Sequence, residues 1–163
     1  MTPFQERVGR IGVQWMTGAN TLAYRLSHGR VGGHVPGGAP ICLVTTTGRH
    51  SGRLRTVPLL YLAHGDDQIV LVASRGGMST HPAWYLNLRA DPRATVEIGT
   101  RRRQMIARPA TATERVDLWP ALTAVYPRFE DYQRRTDRLI PVMILDPTSG
   151  AEDPQRHPTQ PGR

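Results

Sequence analysis

The chain contains 163 residues and carries a net charge of +8, from 21 basic and 13 acidic residues. Its length predicts one domain with one core, because domains typically span about 100 to 200 residues. Hydrophobic residues make up 39% of the sequence, and no apolar run approaches the roughly 18 residues that cross a bilayer. These numbers exclude a wholly disordered chain and an integral membrane protein.

All 21 basic residues are arginine. The planar guanidinium binds phosphate or carboxylate through two parallel hydrogen bonds, so this usage favours a phosphorylated ligand. A GC-rich genome explains the same bias equally well. A single cysteine, Cys42, excludes an internal disulfide and a thiolate-based metal cluster.

The first 28 residues carry an apolar residue every three or four positions, which predicts an amphipathic helix over residues 3–28. Its apolar face suits packing on the rest of the domain, or peripheral contact with the inner face of the plasma membrane. No secretory signal is present, so we expect the cytoplasm. Residues 29–146 then form the main domain, after a loop rich in Gly and Pro, and residues 147–163 are expected to be a mobile tail.

Six short segments rich in β-branched residues, each bounded by turn residues, predict strands. They are residues 41–47, 56–63, 68–74, 94–99, 103–110 and 139–146. Short connections at residues 64–67 and 99–101 favour hairpins. The prediction is a mainly β protein, a small antiparallel barrel with flanking helices.

Three helical segments interrupt the strands. Pro82 suits the first turn of a helix that ends before Asp91-Pro92. Thr111 and Glu114 have the spacing of a capping box, ahead of a helix in which Pro120 predicts a bend. A short helix is expected over residues 129–135.

The segment TTTGRHSGRLRTVP (45–58) places basic residues around two glycines between two predicted strands. Glycines let backbone N–H groups approach an anion closely, and the arginines neutralise its charge. Phosphate binding and a solvated basic hairpin are both consistent with this composition.

A second glycine-containing segment, ASRGGMSTHPAWYLN (73–87), connects a strand to the helix that begins near Pro82. Free N–H groups at a helix start favour negative charge. The orders of a Walker loop and of a G-x-G-x-x-G dinucleotide loop are both absent. Two candidate anion-binding loops in one small barrel are more than chance alone leads us to expect.

The sequence gives little support for catalysis by a protein nucleophile or a bound metal ion. The histidines lack the helical spacing of a zinc site, so no metal is expected. No serine lies in a G-x-S-x-G elbow, and Cys42 lies in an apolar strand, where inert burial is the simpler interpretation. Binding loops without a nucleophile are typical of an enzyme whose cofactor supplies the reactive atom.

Five motifs in this order resemble the deazaflavin-dependent nitroreductase family, split β-barrel proteins from actinobacteria that use coenzyme F420. They are T-T-T-G-R-x-S-G-x-x-R at 45–55, V-A-S-x-G-G at 72–77, H-P-x-W-Y-L-N-L at 81–88, W-P at 119–120 and Y-P at 126–127. The resemblance extends from about residue 20 to residue 147 and implies a split β-barrel of six strands.

The resemblance implies that the coenzyme, an 8-hydroxy-5-deazaflavin, is held by two groups of residues. The group near its phosphate and acidic tail is Arg49, His50, Ser51, Gly52, Arg55 and Pro58. The group lining its ring is Ser74, Arg75, Gly76, Gly77, Pro82, Ala83 and Trp84. Its reaction is hydride transfer to an electron-poor acceptor: a quinone, an enone or a nitroaromatic ring.

On the acceptor side, the resemblance implies a pocket formed by Leu60, Met78, Tyr126, Phe129 and Tyr132. Tyr126 and Tyr132 are the candidate proton donors. The nitroreductases carry tyrosine in place of both Phe129 and Leu60, so the pocket here is less polar and favours an apolar acceptor.

Two other functions compete with this interpretation. The same barrel is suited to FMN, haem or a fatty acid without F420-dependent activity. A nucleic-acid-binding barrel requires aromatic residues among the arginines, and aromatics make up only 6% of the chain, so no nucleic-acid partner is expected. The expected partner is a small apolar acceptor, and a homodimer is one expected assembly.

Overall fold

The computed structural model describes residues 39–148, in which six antiparallel strands close into a barrel. The strands pair in the order β1-β2-β3-β6-β5-β4. Their bounds are β1 Ile41–Thr47, β2 Leu54–His64, β3 Gln68–Val72, β4 Arg93–Ile98, β5 Arg101–Pro109 and β6 Val142–Pro147. The predicted barrel is confirmed, whereas the predicted helix over residues 3–28 lies outside the described residues. Of the predicted mobile tail, residues 147–163, the first two residues pair with β5 and the rest lie outside the described residues.

Four strands differ from the prediction by two or three residues at one end: β2 begins two residues early, β3 ends two residues early, and β5 and β6 differ at their starts. β5 begins two residues early, because Arg101 and Arg102 pair with Ile98 and Glu97 of β4. β6 begins at Val142 rather than at residue 139. The backbone N–H of Ile140 donates to a side chain, Gln133 Oε1, at 2.9 Å, and therefore takes no part in a strand ladder.

Alternation along the strands directs one set of side chains into the barrel. This interior cluster includes Val44, Leu71, Val96, Met105 and Leu145. Cys42 belongs to it and is fully buried, and burial raises the pKa of its thiol to about 12. Cys42 is thus a protonated core residue, in agreement with the inert role predicted for it.

Three helices lie outside the ladder: α1 Ala83–Ala90, α2 Ala112–Val125 and α3 Arg128–Arg134. The capping box of α2 is confirmed, because Glu114 N–H donates to Thr111 Oγ1 at 3.2 Å and Thr111 N–H donates to Glu114 Oε2 at 2.8 Å. α2 continues through Pro120 as one element. Among residues 39–148 there is no helix long and apolar enough to span a membrane.

The two ends of the barrel carry different elements. The turn at residues 48–53 and the connection at residues 73–82 lie at one end, and Trp84, Tyr85 and Leu88 of α1 pack there against the barrel interior. We call this the α1 end. The hairpins at residues 65–67 and 99–100 lie at the opposite end. Outside the barrel, α2 and α3 cover β3 and β6 through a second apolar cluster.

Candidate functional site

The first predicted anion loop is an exposed turn between β1 and β2 at the α1 end. Its backbone closes on itself, because Gly48 N–H donates to the Arg53 carbonyl at 2.8 Å and Gly52 N–H donates to the Gly48 carbonyl at 2.8 Å. Gly52 has a φ of +65°, and a Cβ there would meet nothing within 4 Å. The turn therefore leaves an open approach along its backbone.

Buried Asn87 of α1 fixes the position of this turn. Its Oδ1 accepts a hydrogen bond from Arg49 N–H at 3.2 Å, and its Nδ2 donates to Thr46 Oγ1 at 3.1 Å. α1 follows the second predicted loop directly in the chain. The structure thus links the two predicted loops through α1.

The second loop contains a short 3₁₀ turn, Arg75–Gly77, with three consecutive residues in the left-handed region. The φ angles are 48° at Arg75, 66° at Gly76 and 80° at Gly77. A Cβ on Gly76 would meet nothing within 4 Å, whereas one on Gly77 would lie 2.8 Å from the Tyr132 carbonyl oxygen. The loop is therefore open at Gly76 and packed closely against α3 at Gly77.

Arg138 forms hydrogen bonds with this loop. It was not identified as a site residue from the sequence. Its Nη2 donates to the carbonyls of Ala73 and Ser74 at 3.1 and 2.8 Å, and its Nε donates to the Met78 carbonyl at 2.9 Å. Arg75 forms a further hydrogen bond within the loop, in which its Nη1 donates to Thr80 Oγ1 at 2.6 Å.

His81 lies between this loop and α1 as a neutral imidazole. Arg138 Nη1 is 3.3 Å from His81 Nδ1, and an arginine donates only, so Nδ1 is the acceptor. Burial, followed by the positive charges of Arg138 and Arg89, lowers the pKa of His81 below its ordinary value. Its ring packs on Tyr85 with a centroid distance of 4.8 Å.

The α1 end carries five exposed arginines in addition to Arg93, which pairs with Asp91 at 2.9 Å. The five residues are Arg49, Arg53, Arg55, Arg75 and Arg89. Within the described part of the chain none of them forms an ion pair, whereas Arg103 pairs with Asp67 at 2.7 Å and Arg108 with Glu114 at 2.8 Å. Uncompensated guanidinium groups beside open glycine backbone are suited to a phosphate or a carboxylate ligand.

Four of the five predicted acceptor residues meet in the second apolar cluster, between β2, α2 and α3, whereas Met78 is partly buried in the 73–82 connection and is not part of this cluster. Phe129 is buried in this cluster, and Leu60, Tyr126 and Tyr132 are partly buried residues that pack against the cluster. The hydroxyl oxygens of Tyr126 and Tyr132 are 3.3 Å apart. Burial, followed by this hydrogen bond, raises the pKa of Tyr126, so its phenol keeps its proton at neutral pH.

The other predicted residues lie at different depths. Pro82 is half-buried and Ala83 is exposed at the start of α1, whereas Trp84 is 7% exposed and belongs to the barrel core. Ser74, just before Gly76 and Gly77 in the chain, is buried. Pro58 lies on the outside of β2, opposite Leu43. His50 and Ser51 are exposed in the turn.

A cavity of about 160 Å³ opens at the opposite end of the barrel. It has Ile69, Val96 and Met105 in its walls and Arg101 and Arg103 at its edge. None of the residues predicted to bind a ligand lines it. This cavity is therefore separate from the α1 end.

Comparison with known proteins identifies the family to which this chain belongs. Residues 15–147 match the family of F420H(2)-dependent quinone reductases. The chain belongs to this family. It is accordingly an oxidoreductase that uses coenzyme F420, which confirms the predicted cofactor and the predicted deazaflavin-dependent class.

Individual relatives agree with the family match. An F420H(2)-dependent quinone reductase of Mycobacterium tuberculosis is 36% identical over 138 residues, covering 83% of this chain and 91% of that protein. The solved structure of an F420-H2 dependent reductase, FDR-A, is 41% identical with a TM-score of 0.60, covering 66% of this chain and 94% of that one. A second solved structure, described as a domain-swapped dimer, is 37% identical with a TM-score of 0.62, covering 82% and 98%.

The α1 end has the chemistry that a member of this family needs. The coenzyme is a deazaflavin with a phosphate and an acidic tail, and five arginines at this end form no ion pair among residues 39–148: Arg49, Arg53, Arg55, Arg75 and Arg89. An added Cβ at Gly76 would meet nothing within 4 Å, so the backbone there is open to a ligand. Open glycine backbone and free guanidinium groups therefore fit a polyanionic coenzyme.

Proposed function

We propose that this family member reduces an apolar quinone, and that the α1 end and the Tyr126–Tyr132 cluster form the two halves of its active site. The observation that carries the proposal is the contact between Gly77 and the backbone of Tyr132. This contact joins the loop assigned to the coenzyme to the helix assigned to the acceptor. The quinone reductase name of the family and of the mycobacterial relative supports the choice of acceptor.

Coenzyme binding is assigned to the two loops. The residues assigned to its phosphate and acidic tail are Arg49, His50, Ser51, Gly52 and Arg55, with Pro58 on the adjoining strand. The residues assigned to its ring are Ser74, Arg75, Gly76, Gly77, Pro82 and Ala83, with Trp84 packed beneath them. When bound in reduced form, the coenzyme supplies a hydride.

The tyrosines supply the proton that a quinone needs to complete its reduction. A quinone that accepts a hydride must also gain one proton to become a hydroquinone. The Tyr126 phenol is protonated at neutral pH and shares a hydrogen bond with Tyr132, so either hydroxyl can donate to an acceptor oxygen placed beside the pair.

Apolar walls set the class of acceptor. Leu60 and Phe129 offer no hydrogen bond, and Phe129 is 5% exposed. A nitro group, with its two polar oxygens, gains less from these walls than a quinone with an alkyl side chain does. Enones remain acceptable substrates, because they too carry one carbonyl oxygen on an apolar body.

The test follows the oxidation of F420H2 with a quinone, an enone and a nitroimidazole as alternative acceptors. We expect the quinone to have the highest kcat/KM. Arg55→Ala should weaken coenzyme binding by about 1.5 to 3 kcal/mol, the usual contribution of a charge-assisted hydrogen bond. Arg101→Ala, at the opposite end of the barrel, is the matched control and should leave binding unchanged. Preference for the nitroimidazole would contradict the proposed acceptor, and an unchanged Arg55→Ala variant would remove that residue from the site.

The assembly and the location of the protein complete the proposal. A homodimer is supported by the related structure described as a domain-swapped dimer, and light scattering tests it. We place the enzyme in the cytoplasm, with residues 3–28 either packed on the rest of the domain or in peripheral contact with the membrane. Sedimentation with anionic vesicles tests this contact, and a protein that stays in the supernatant would exclude it.

A further inference from the structure

The connection at residues 73–81 depends on a residue that lies far away in the chain. We propose that Arg138 is a positioning residue, which holds this loop in the shape that receives the coenzyme. The inference rests on the proposed function for the role of the loop. Arg138 itself is separate from the two groups of residues assigned to coenzyme and acceptor.

The guanidinium of Arg138 uses its donors on the loop alone. Three of its contacts are backbone carbonyls, those of Ala73, Ser74 and Met78, at 2.8 to 3.1 Å. The fourth is Nδ1 of His81 at 3.3 Å. Within residues 39–148 no carboxylate pairs with Arg138, so its charge is available to the loop and to an anion bound there.

These contacts span the left-handed turn from both sides. Ala73 and Ser74 precede Arg75–Gly77, and Met78 and His81 follow it. Left-handed backbone is unfavourable for a residue with a side chain, and Arg75 adopts it with a φ of 48°. Fixing the carbonyls on both flanks keeps the turn in this conformation, with Gly76 open to a ligand.

Arg138 is itself held by the helices next to the acceptor pocket. Gln133 Nε2 of α3 donates to the Arg138 carbonyl at 3.0 Å. Gln133 Oε1 accepts from Ile140 N–H at 2.9 Å and from Arg115 Nη2 of α2 at 3.0 Å. The loop assigned to the coenzyme is therefore tied through Arg138 to the two helices assigned to the acceptor.

The position requires a guanidinium group, because its nitrogens donate to four acceptors at once. The single ammonium group of a lysine cannot reach all four. Lysine at this position keeps the charge and loses the simultaneous contacts. Glutamine loses both the charge and most of the contacts. The two variants thus separate the contribution of the charge from the contribution of the geometry.

The experiment compares Arg138→Lys and Arg138→Gln with Arg134→Gln. Arg134 is an exposed arginine of α3 that pairs with Asp131, and it serves as the matched control. Amide NMR of Gly76 and Gly77 in the free protein reports the loop conformation, and titration of the His81 ring reports the nearby charge. Fluorescence titration with F420 reports coenzyme affinity, and thermal unfolding reports global stability.

We expect both Arg138 variants to shift the Gly76 and Gly77 amides and to raise the Kd for F420 by about tenfold, which corresponds to about 1.4 kcal/mol. The pKa of His81 should rise in Arg138→Gln only, because the ring faces Arg138, Arg89 and Tyr85 and this variant alone removes one of the two cations. Arg134→Gln should change none of these readings.

Three results would overturn the inference. The first is that Arg138→Gln leaves both the Gly76 and Gly77 amide signals and the Kd for F420 unchanged. The second is full wild-type affinity in Arg138→Lys, which would assign the effect to charge rather than to position. The third is loss of affinity only in proportion to a loss of folded protein. If Arg55→Ala weakens F420 binding while Arg138→Gln does not, the positioning role fails and the proposed function stands. If neither variant alters the binding, the proposed site itself fails.

Discussion

Replacement of Gly77 by alanine tests the contact that joins the two halves of the site. Gly77 has a φ of +80°, and an added Cβ would lie 2.8 Å from the carbonyl oxygen of Tyr132 and 3.1 Å from the Cβ of Arg135. The nearest atom is backbone of α3, so it cannot move aside as the end of a side chain can. The variant must therefore displace the loop or the helix.

The expected cost has two parts. Left-handed backbone costs alanine about 1 to 2 kcal/mol. Overpacking against a fixed backbone adds about 1 to 3 kcal/mol. Gly76→Ala is the control, because Gly76 has a φ of +66° and its added Cβ would meet nothing within 4 Å, so that only the first part applies.

Urea and thermal denaturation followed by circular dichroism measure both variants. Each kcal/mol lowers the Tm of a chain of this size by about 2 to 4 °C. We expect a loss of roughly 3 kcal/mol for Gly77→Ala, or about 6 to 12 °C, and about half of that for Gly76→Ala. Equal losses in the two variants would refute the close packing of this loop on α3.

Two further variants test the acceptor pocket and the start of α2. Phe129→Tyr should raise the kcat for a nitroaromatic acceptor relative to a quinone, since it adds a hydroxyl beside the Tyr126–Tyr132 pair, and an unchanged ratio would point to pocket shape instead. The hydrogen bond from Arg108 and that from the Thr111 backbone lower the pKa of Glu114 to about 2, so Glu114 stabilises the fold above its ordinary pKa of about 4.5 and loses this effect as the pH falls towards 2. The stability advantage of wild type over Glu114→Gln should therefore disappear across that range, and a constant difference down to pH 2 would contradict it.

The barrel could be predicted from the sequence because its signals are local. Short β-branched runs between turn residues gave six strands, and the spacing of Thr111 and Glu114 gave the start of α2. Residues 139–141 were wrongly assigned to a strand. Their apolar composition is typical of a strand, but a glutamine from a helix binds the Ile140 amide, and that contact has no local signal.

The positions of the two glycine- and arginine-containing loops could be predicted because these residue types are easily recognised in the sequence. Arg138 could not be predicted, because its partners lie 57 to 65 residues away and three of them are carbonyls, which every residue carries. The burial of Trp84 could not be predicted either, since the same motif is compatible with an indole at the surface and with an indole in the core. Only the packing of α1 against the barrel shows that Trp84 is buried.

The most direct test of the account is a fluorescence titration of the purified protein with F420, beside a parallel titration with FMN at the same ionic strength. We expect saturable binding of F420 that is tighter than binding of FMN and that weakens in Arg55→Ala. Binding of FMN alone, or of neither flavin, would contradict the assignment of the α1 end as the coenzyme site.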